Sequence, residues 1–368
     1  GPTIQGGTKM NMIGKVASGL VAASLALAST ATVAQEAREF SVVGTWGVLT
    51  PWQEREAPFW NEQLPAASGG LLTANAKPLT ELGMDGTTVM RELRSGAFDF
   101  AHGVFLYVAG DSPVIEGADL TGVTPDLATF KQVADVYLPV LENEFQTLFN
   151  SHILMVYAWP QTHLYCNLPE GTAGEVGLDA FSGLKVRSFG ASMGDFISET
   201  LDAVPVSVAF GEVLPSLERG ALDCGATGTL SAYSAKWYQG ATHDVQVSLG
   251  YTASFLAVNN DTWNSLTDDE RALIEAEVAK LEDQSWAATI TEDTDGINCM
   301  ADGPCERGET GGMTQVSMSE EAQAAMRASI EGGVIANWAE RCEARSPGCV
   351  DNWNQTIGAL LGYEAKLD

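Results

Sequence analysis

Residues 183–238 read GLKVRSFGASMGDFISETLDAVPVSVAFGEVLPSLERGALDCGATGTLSAYSAKWY. The stretch divides into a strand holding Arg187, a helix, a second strand, a helix ending at Gly220, and a third strand that runs into Thr227. Strands that alternate with helices predict a parallel sheet. Open sheets of this kind hold ligands beyond the carboxyl ends of their strands. Arg187 stands at such an end, between two α/β units. A guanidinium there suits a carboxylate, because it stays charged and offers two parallel N–H donors.

The same alternation occurs upstream. Phe40–Gly47 reads as a strand, Pro51–Gln63 as a helix, Leu71–Ala76 as a strand, Gly86–Ser95 as a helix and Phe98–Ala101 as a third strand. Thr129–Asn150 is predicted as a long amphipathic helix and Ser151–Trp159 as a buried strand, with Pro160 marking a boundary. Gln246–Asn259 returns as a strand. Thr267–Thr291 is a long helix whose Thr267 and Glu270 form a capping box. Asp295–Gly312 reads as a surface loop, and Glu320–Cys342 and Val350–Tyr363 as closing helices. A chain of 368 residues exceeds one compact core and suits two lobes. No repeat at solenoid spacing is present.

The net charge is −29, from 19 basic and 48 acidic residues. Lys9 and Lys15 are the only charges before Glu36, so the remainder carries −31. Such a surface repels nucleic acid and anionic membranes. Its plain reading is a solvated acidic coat, which makes a basic residue inside a cleft more telling. Residues 1–9 read as a vector-derived remnant or upstream extension. Residues 10–34 read as a signal peptide: Lys15 precedes the apolar run Val16–Ala28, and Thr32-Val33-Ala34 resembles a cleavage site. The expected compartment is therefore the periplasm.

Six cysteines suit an oxidising compartment. Local spacing suggests Cys299 with Cys305 and Cys342 with Cys349, leaving Cys166 with Cys224. Fifteen pairings remain formally open. Zinc is the competing reading, and no Cys lies two to four residues from another. No G-x-S-x-G, H-E-x-x-H, P-loop or strand-linked G-x-G-x-x-G is present, and His102, His152, His163 and His243 lack ligand-like spacing. An enzyme is therefore not expected, and no cofactor is implied.

Gly183-Leu184-Lys185-Val186-Arg187, Phe210-Gly211-Glu212-Val213, Leu217, Gly220, Asp223 and Ser234-Ala235-Lys236-Trp237-Tyr238 stand in a coupled spacing. That spacing resembles the substrate-binding subunit of tripartite ATP-independent periplasmic (TRAP) transporters, the DctP-like family. Glu81-Leu82-Gly83, Leu93–Asp99 and Ala257-Val258-Asn259 resemble further elements of it, so the likeness covers roughly residues 38–295. It implies a type II-like, two-lobed α/β fold with mixed sheets flanked by helices, hinge strands and a long interdomain helix. Lobe I would take residues 38–160 and about 253–294, lobe II residues 161–252 and about 295–368. The function implied is capture of a small organic carboxylate between the lobes and delivery to TRAP membrane subunits. A periplasmic sensor of the same fold is the alternative, as is a dicarboxylate or sugar acid in place of a monocarboxylate. The protein is expected to be a monomer.

The resemblance makes Arg187 the carboxylate anchor. It puts Thr227 where family members often carry Asn, so Thr227 or Thr229 would supply a hydroxyl contact. Trp46, Trp159, Phe210 and one of Phe105 and Tyr107, with Phe105 preferred, would shape the pocket, against core packing as the competing reading. His163 reads as a structural histidine more than a ligand contact, and Glu212 as a structural partner, to Arg187 or to a backbone N–H. No arginine occurs in residues 158–166, where members with strong dicarboxylate or sugar-acid sites often add one. Some relatives hold carboxylates through a bridging metal ion, but no ligand spacing for one appears here.

Overall fold

The computed structural model describes residues 35–368, so the extension and the signal-peptide segment fall outside the described residues. In chain order the first elements are β1 (Arg38–Gly44), a helical run over residues 51–67 (α1), β2 (Leu72–Pro78), α2 (Val89–Ser95) and β3 (Phe100–Val104). Then come α3 (Phe105–Val108), α4 (Pro113–Glu116), α5 (Leu127–Phe149) and β4 (Ser151–Cys166). The opening stretch supplies β6 (Lys185–Ser188), α6 (Ala191–Asp195), β7 (Val204–Ser207), α7 (Val213–Glu218), β8 (Cys224–Gly228) and α8 (Thr229–Ser234), after a short β5 (Gly174–Val176). β9 (His243–Gln246), β10 (Tyr251–Asn259), α9 (Asn260–Ser265) and α10 (Asp268–Met300) follow. β11 (Thr314–Met318), α11 (Glu320–Ser329), α12 (Ala336–Arg345) and α13 (Cys349–Trp353) close the chain.

The sheet order is β2-β1-β3-β10-β4-β8-β6-β7. Two parallel trios, β2-β1-β3 and β7-β6-β8, form its ends. Antiparallel β10 and β4 join them. Each trio is a β-α-β-α-β run, as the alternation predicts. Strand β4 serves both halves: Ser151–Gln161 pairs with β10 and Thr162–Cys166 with β8.

Pro160 does not end β4. Ala158 faces Ala253 and Gln161 faces Tyr251, so Trp159 and Pro160 together oppose Thr252. This bulge sits where the strand changes partner, and a bulge is where a residue without an N–H does no harm to a ladder. The expected strand 246–259 starts only at Tyr251 as β10; Gln246 ends β9, and Gly250, with φ 106°, lies in the irregular stretch between them.

Helix α10 runs for 33 residues, to Met300, and so takes up the first part of the loop expected over Asp295–Gly312. The Thr267–Glu270 capping box is formed. Gly296 lies inside the helix because α8 crosses it there: a Cβ at Gly296 would clash with the backbone at Thr229 and Leu230. The glycine is therefore a close-approach residue, not a helix stop. Along its length α10 touches both halves of the sheet. Arg55 of α1 pairs with Glu292 at 2.6 Å, Trp286 donates to the Val156 carbonyl at 3.0 Å, and Asp293 accepts from Thr229 at 2.9 Å.

The cysteines pair as Cys166–Cys224, Cys299–Cys305 and Cys342–Cys349. The first links directly opposed residues of β4 and β8. The last staples the closing helices, whose Trp338 and Trp353 donate to the carbonyls of Pro113 and Gly117 at 2.7 and 2.9 Å.

Asp119 lies just beyond α4, against the start of β10, and is fully enclosed. Its Oδ2 accepts from the Ala253 N–H at 2.9 Å. Burial, with Glu116 nearby, pushes its carboxyl up to about 7. A raised carboxyl favours folding below its unfolded value near 4, and that contribution disappears as pH rises through about 7. Asp119→Asn retains an acceptor for Ala253 and removes the ionisation. The variant is expected to gain stability over wild type between pH 4 and pH 8, up to roughly 4 kcal/mol. Unfolding midpoints across that range check this, and a pH-independent difference would count against it.

Candidate functional site

The carboxyl ends of β1, β2, β3, β6 and β7 converge on one cleft of about 690 Å³, and Thr227 of β8 reaches the recess beside it. One wall carries Trp46, Leu79, Met84 and Tyr107. The other carries Phe189, Val208, Phe210 and Glu212. Behind Trp46, Tyr107, Phe189 and Phe210, which line cleft and recess alike, lies a deeper recess reached by Arg187, Trp159 and Thr227.

Arg187 is the centre of the recess. It is the third of the four residues of β6, so it stands near the strand's carboxyl end, beside the cleft. Only 1% of Arg187 is exposed. Nε donates to the Val208 carbonyl at 3.0 Å, Nη1 to the Ala226 carbonyl at 3.0 Å and Nη2 to the Tyr107 hydroxyl at 2.8 Å. The guanidinium also stands 4.7 Å from the Phe189 ring centroid and 5.9 Å from that of Phe210. No acidic side chain pairs with it among the described residues. Among the described residues the other buried arginine, Arg55, 4% exposed, is paired with Glu292.

Trp46, Trp159, Phe210 and Thr227 all border the recess. Trp46 packs edge-on to Trp159 and to Phe210, each at 5.8 Å between centroids. Trp159 is held by its indole N–H, which donates to the Tyr157 hydroxyl at 2.8 Å.

Two candidates are placed elsewhere. Phe105 is turned into the core between Phe145 and Phe255, at 5.7 and 4.8 Å, and it is Tyr107 that lines the cleft. The reason is local. A helical turn starts at Phe105, so side chains fan by about 100° per residue and residue 107 no longer shares the orientation of 105. Thr229 opens α8, and its hydroxyl is committed to Asp293 on α10.

Glu212 does not touch Arg187; it is exposed at the cleft mouth, as is Asp85. His163 is buried away from the cleft, held by Asp244 at 2.9 Å and Gln161 at 3.0 Å. Phe189, missed in the sequence, is signalled only by its place two residues after Arg187. Among the described residues no cluster of His, Cys, Asp and Glu could hold a metal ion. No helix among them is long and apolar enough to cross a membrane.

The chain thus forms a two-lobed α/β fold with a cleft at its strand ends, where folds of this kind hold ligands. The sequence profile of bacterial extracellular solute-binding protein family 7, DctP, matches residues 43–340, and the chain belongs to that family. It is 27% identical over 124 residues to the C4-dicarboxylate-binding periplasmic protein DctP of Rhodobacter capsulatus. That alignment covers 34% of this chain and 37% of the relative, so it spans little more than a third of the relative's length.

Solved structures match far more of the chain. A Bordetella pertussis extracytoplasmic solute receptor binding pyroglutamic acid superposes with a TM-score of 0.73 at 16% identity, over 86% of this chain and 100% of its own. A TRAP periplasmic solute-binding protein from Desulfovibrio salexigens, with bound orotic acid, gives 0.75 at 15% identity, over 88% and 99%. One from a Sulfitobacter species, with bound β-D-galacturonate, gives 0.73 at 16%, over 87% and 99%. At these identities the likeness is one of fold.

Proposed function

We propose that this protein captures a small organic carboxylate in the cleft and delivers it to the membrane subunits of a TRAP transporter. One observation carries the reading: a guanidinium with 1% exposure and no acidic partner among the described residues. Burying a lone cation is costly, and a ligand carboxylate repays that cost with charge-assisted bonds. The halves of the sheet act as lobes, with boundaries near residues 160/161 and 252/253, and close about β4 and β10. Residues 10–34 direct export to the periplasm. The protein acts as a monomer without a cofactor, and it binds without catalysing.

The ligand is a monocarboxylate with a modest, mainly uncharged body. The walls are largely aromatic and aliphatic, with hydroxyls at Thr80, Thr87, Ser188 and Ser207, and among the described residues Arg187 is the single Lys, Arg or His bordering cleft and recess. Asp85 and Glu212 at the mouth disfavour a second carboxylate. The alternative of a dicarboxylate or sugar acid is supported by the R. capsulatus relative and by the galacturonate-bound Sulfitobacter protein. A thermal-shift series with pyroglutamate, orotate, benzoate, succinate and galacturonate tests the ranking. The monocarboxylates without a polyhydroxyl body are expected to raise the unfolding midpoint most. Succinate as the strongest stabiliser would reverse the assignment.

A further inference from the structure

We infer that Tyr107 is a second group touching the ligand's carboxylate, reaching it from the opposite half of the sheet to Arg187. The inference rests on the reading that Arg187 holds a carboxylate. Tyr107 follows β3 on α3, in the β2-β1-β3 trio, whereas Arg187 belongs to β6 in the other. Their hydrogen bond of 2.8 Å therefore spans the cleft.

The donor count makes the chemistry specific. A guanidinium has five N–H groups, and Arg187 spends three of them on Val208, Ala226 and Tyr107. One N–H remains on each terminal nitrogen. The phenol accepts from Nη2, which leaves its own O–H free to donate beside those two. Two N–H donors and one O–H donor are then left for one anion, which enters by widening the recess, about 20 Å³ in this structure, toward the cleft. Because Tyr107 is itself polarised by the cation, its O–H is a stronger donor than an isolated phenol.

The ring is also fixed in place. It stacks on Phe189 at 5.7 Å with planes 19° apart, and Phe189 carries the guanidinium as well. On its other side lies the backbone of Gly86, where a Cβ would stand 2.7 Å from the ring. Gly86 is thus a positioning residue for Tyr107. A carboxylate bonded to both residues joins the two halves, which links capture to closure.

The test uses Tyr107→Phe, which keeps the ring and removes the hydroxyl, with Gly86→Ala and Arg187→Met alongside. Trp46 lies 5.4 Å from Tyr107 between centroids, so tryptophan fluorescence reports the site. Sodium pyroglutamate, orotate, benzoate and propionate are titrated at constant ionic strength. Tyr107→Phe is expected to weaken binding roughly 10- to 100-fold, as for loss of a hydrogen bond to a charged group, with an unchanged circular dichroism spectrum. Gly86→Ala is expected to weaken it in the same direction by displacing the ring. If Tyr107→Phe binds like wild type while Arg187→Met does not, Tyr107 is no contact and the carboxylate reading stands. If Arg187→Met also binds like wild type, or no acid gives a saturable change with wild type, both readings fall.

Discussion

Arg187→Met is expected to lose carboxylate binding by roughly 30- to several-thousand-fold while the protein remains folded. Truncating one partner of a buried, hydrogen-bonded charge pair costs about 2–5 kcal/mol. Methionine keeps most of the side chain's volume beside Phe189 and Phe210, so the aromatic wall has little reason to collapse. The carbonyls of Val208 and Ala226 lose a donor, a cost of about 1–3 kcal/mol each if water does not replace it. Arg187→Lys separates charge from geometry. An ammonium keeps the charge but cannot give two parallel N–H bonds, so intermediate affinity is expected. Calorimetric titration checks all three proteins with the acid that stabilises wild type best. Equal affinity for wild type and Arg187→Met would remove the basis of the proposed function.

Replacing Cys166 and Cys224 by Ala together is expected to destabilise the fold by about 4 kcal/mol. The two are separated by 58 residues, and closing a loop of that length restricts the unfolded chain by about this amount in the chain-entropy model. The same pair replaced by Ala at Cys299 and Cys305, separated by 6, is expected to cost less. Denaturant unfolding of the two double variants measures the ratio. Cys166 and Cys224 face each other where β4 enters its second partner, and Thr227 lies on that same β8. Weaker ligand binding in the long-loop variant, beyond what its lower stability explains, is therefore also expected.

The sequence alone determined the parallel trios, the long capped helix and the site's one cation. These are local matters: strand and helix alternate with clear stops, Thr267 and Glu270 cap within one turn, and Arg187 stands near the end of a strand between two α/β units. Trp46, Trp159, Phe210 and Thr227 were legible only through the family resemblance, and all four border the recess. The tertiary structure decided the rest. Gly296 and Pro160 look like breaks in the chain, but one admits α8 against α10 and the other fills a bulge, and neither neighbour is visible in local sequence. Phe105 and Tyr107 are equivalent by composition. Only the start of a helical turn at residue 105 sends one to the core and the other to the cleft, because a change of period from two to 3.6 redirects every side chain after it.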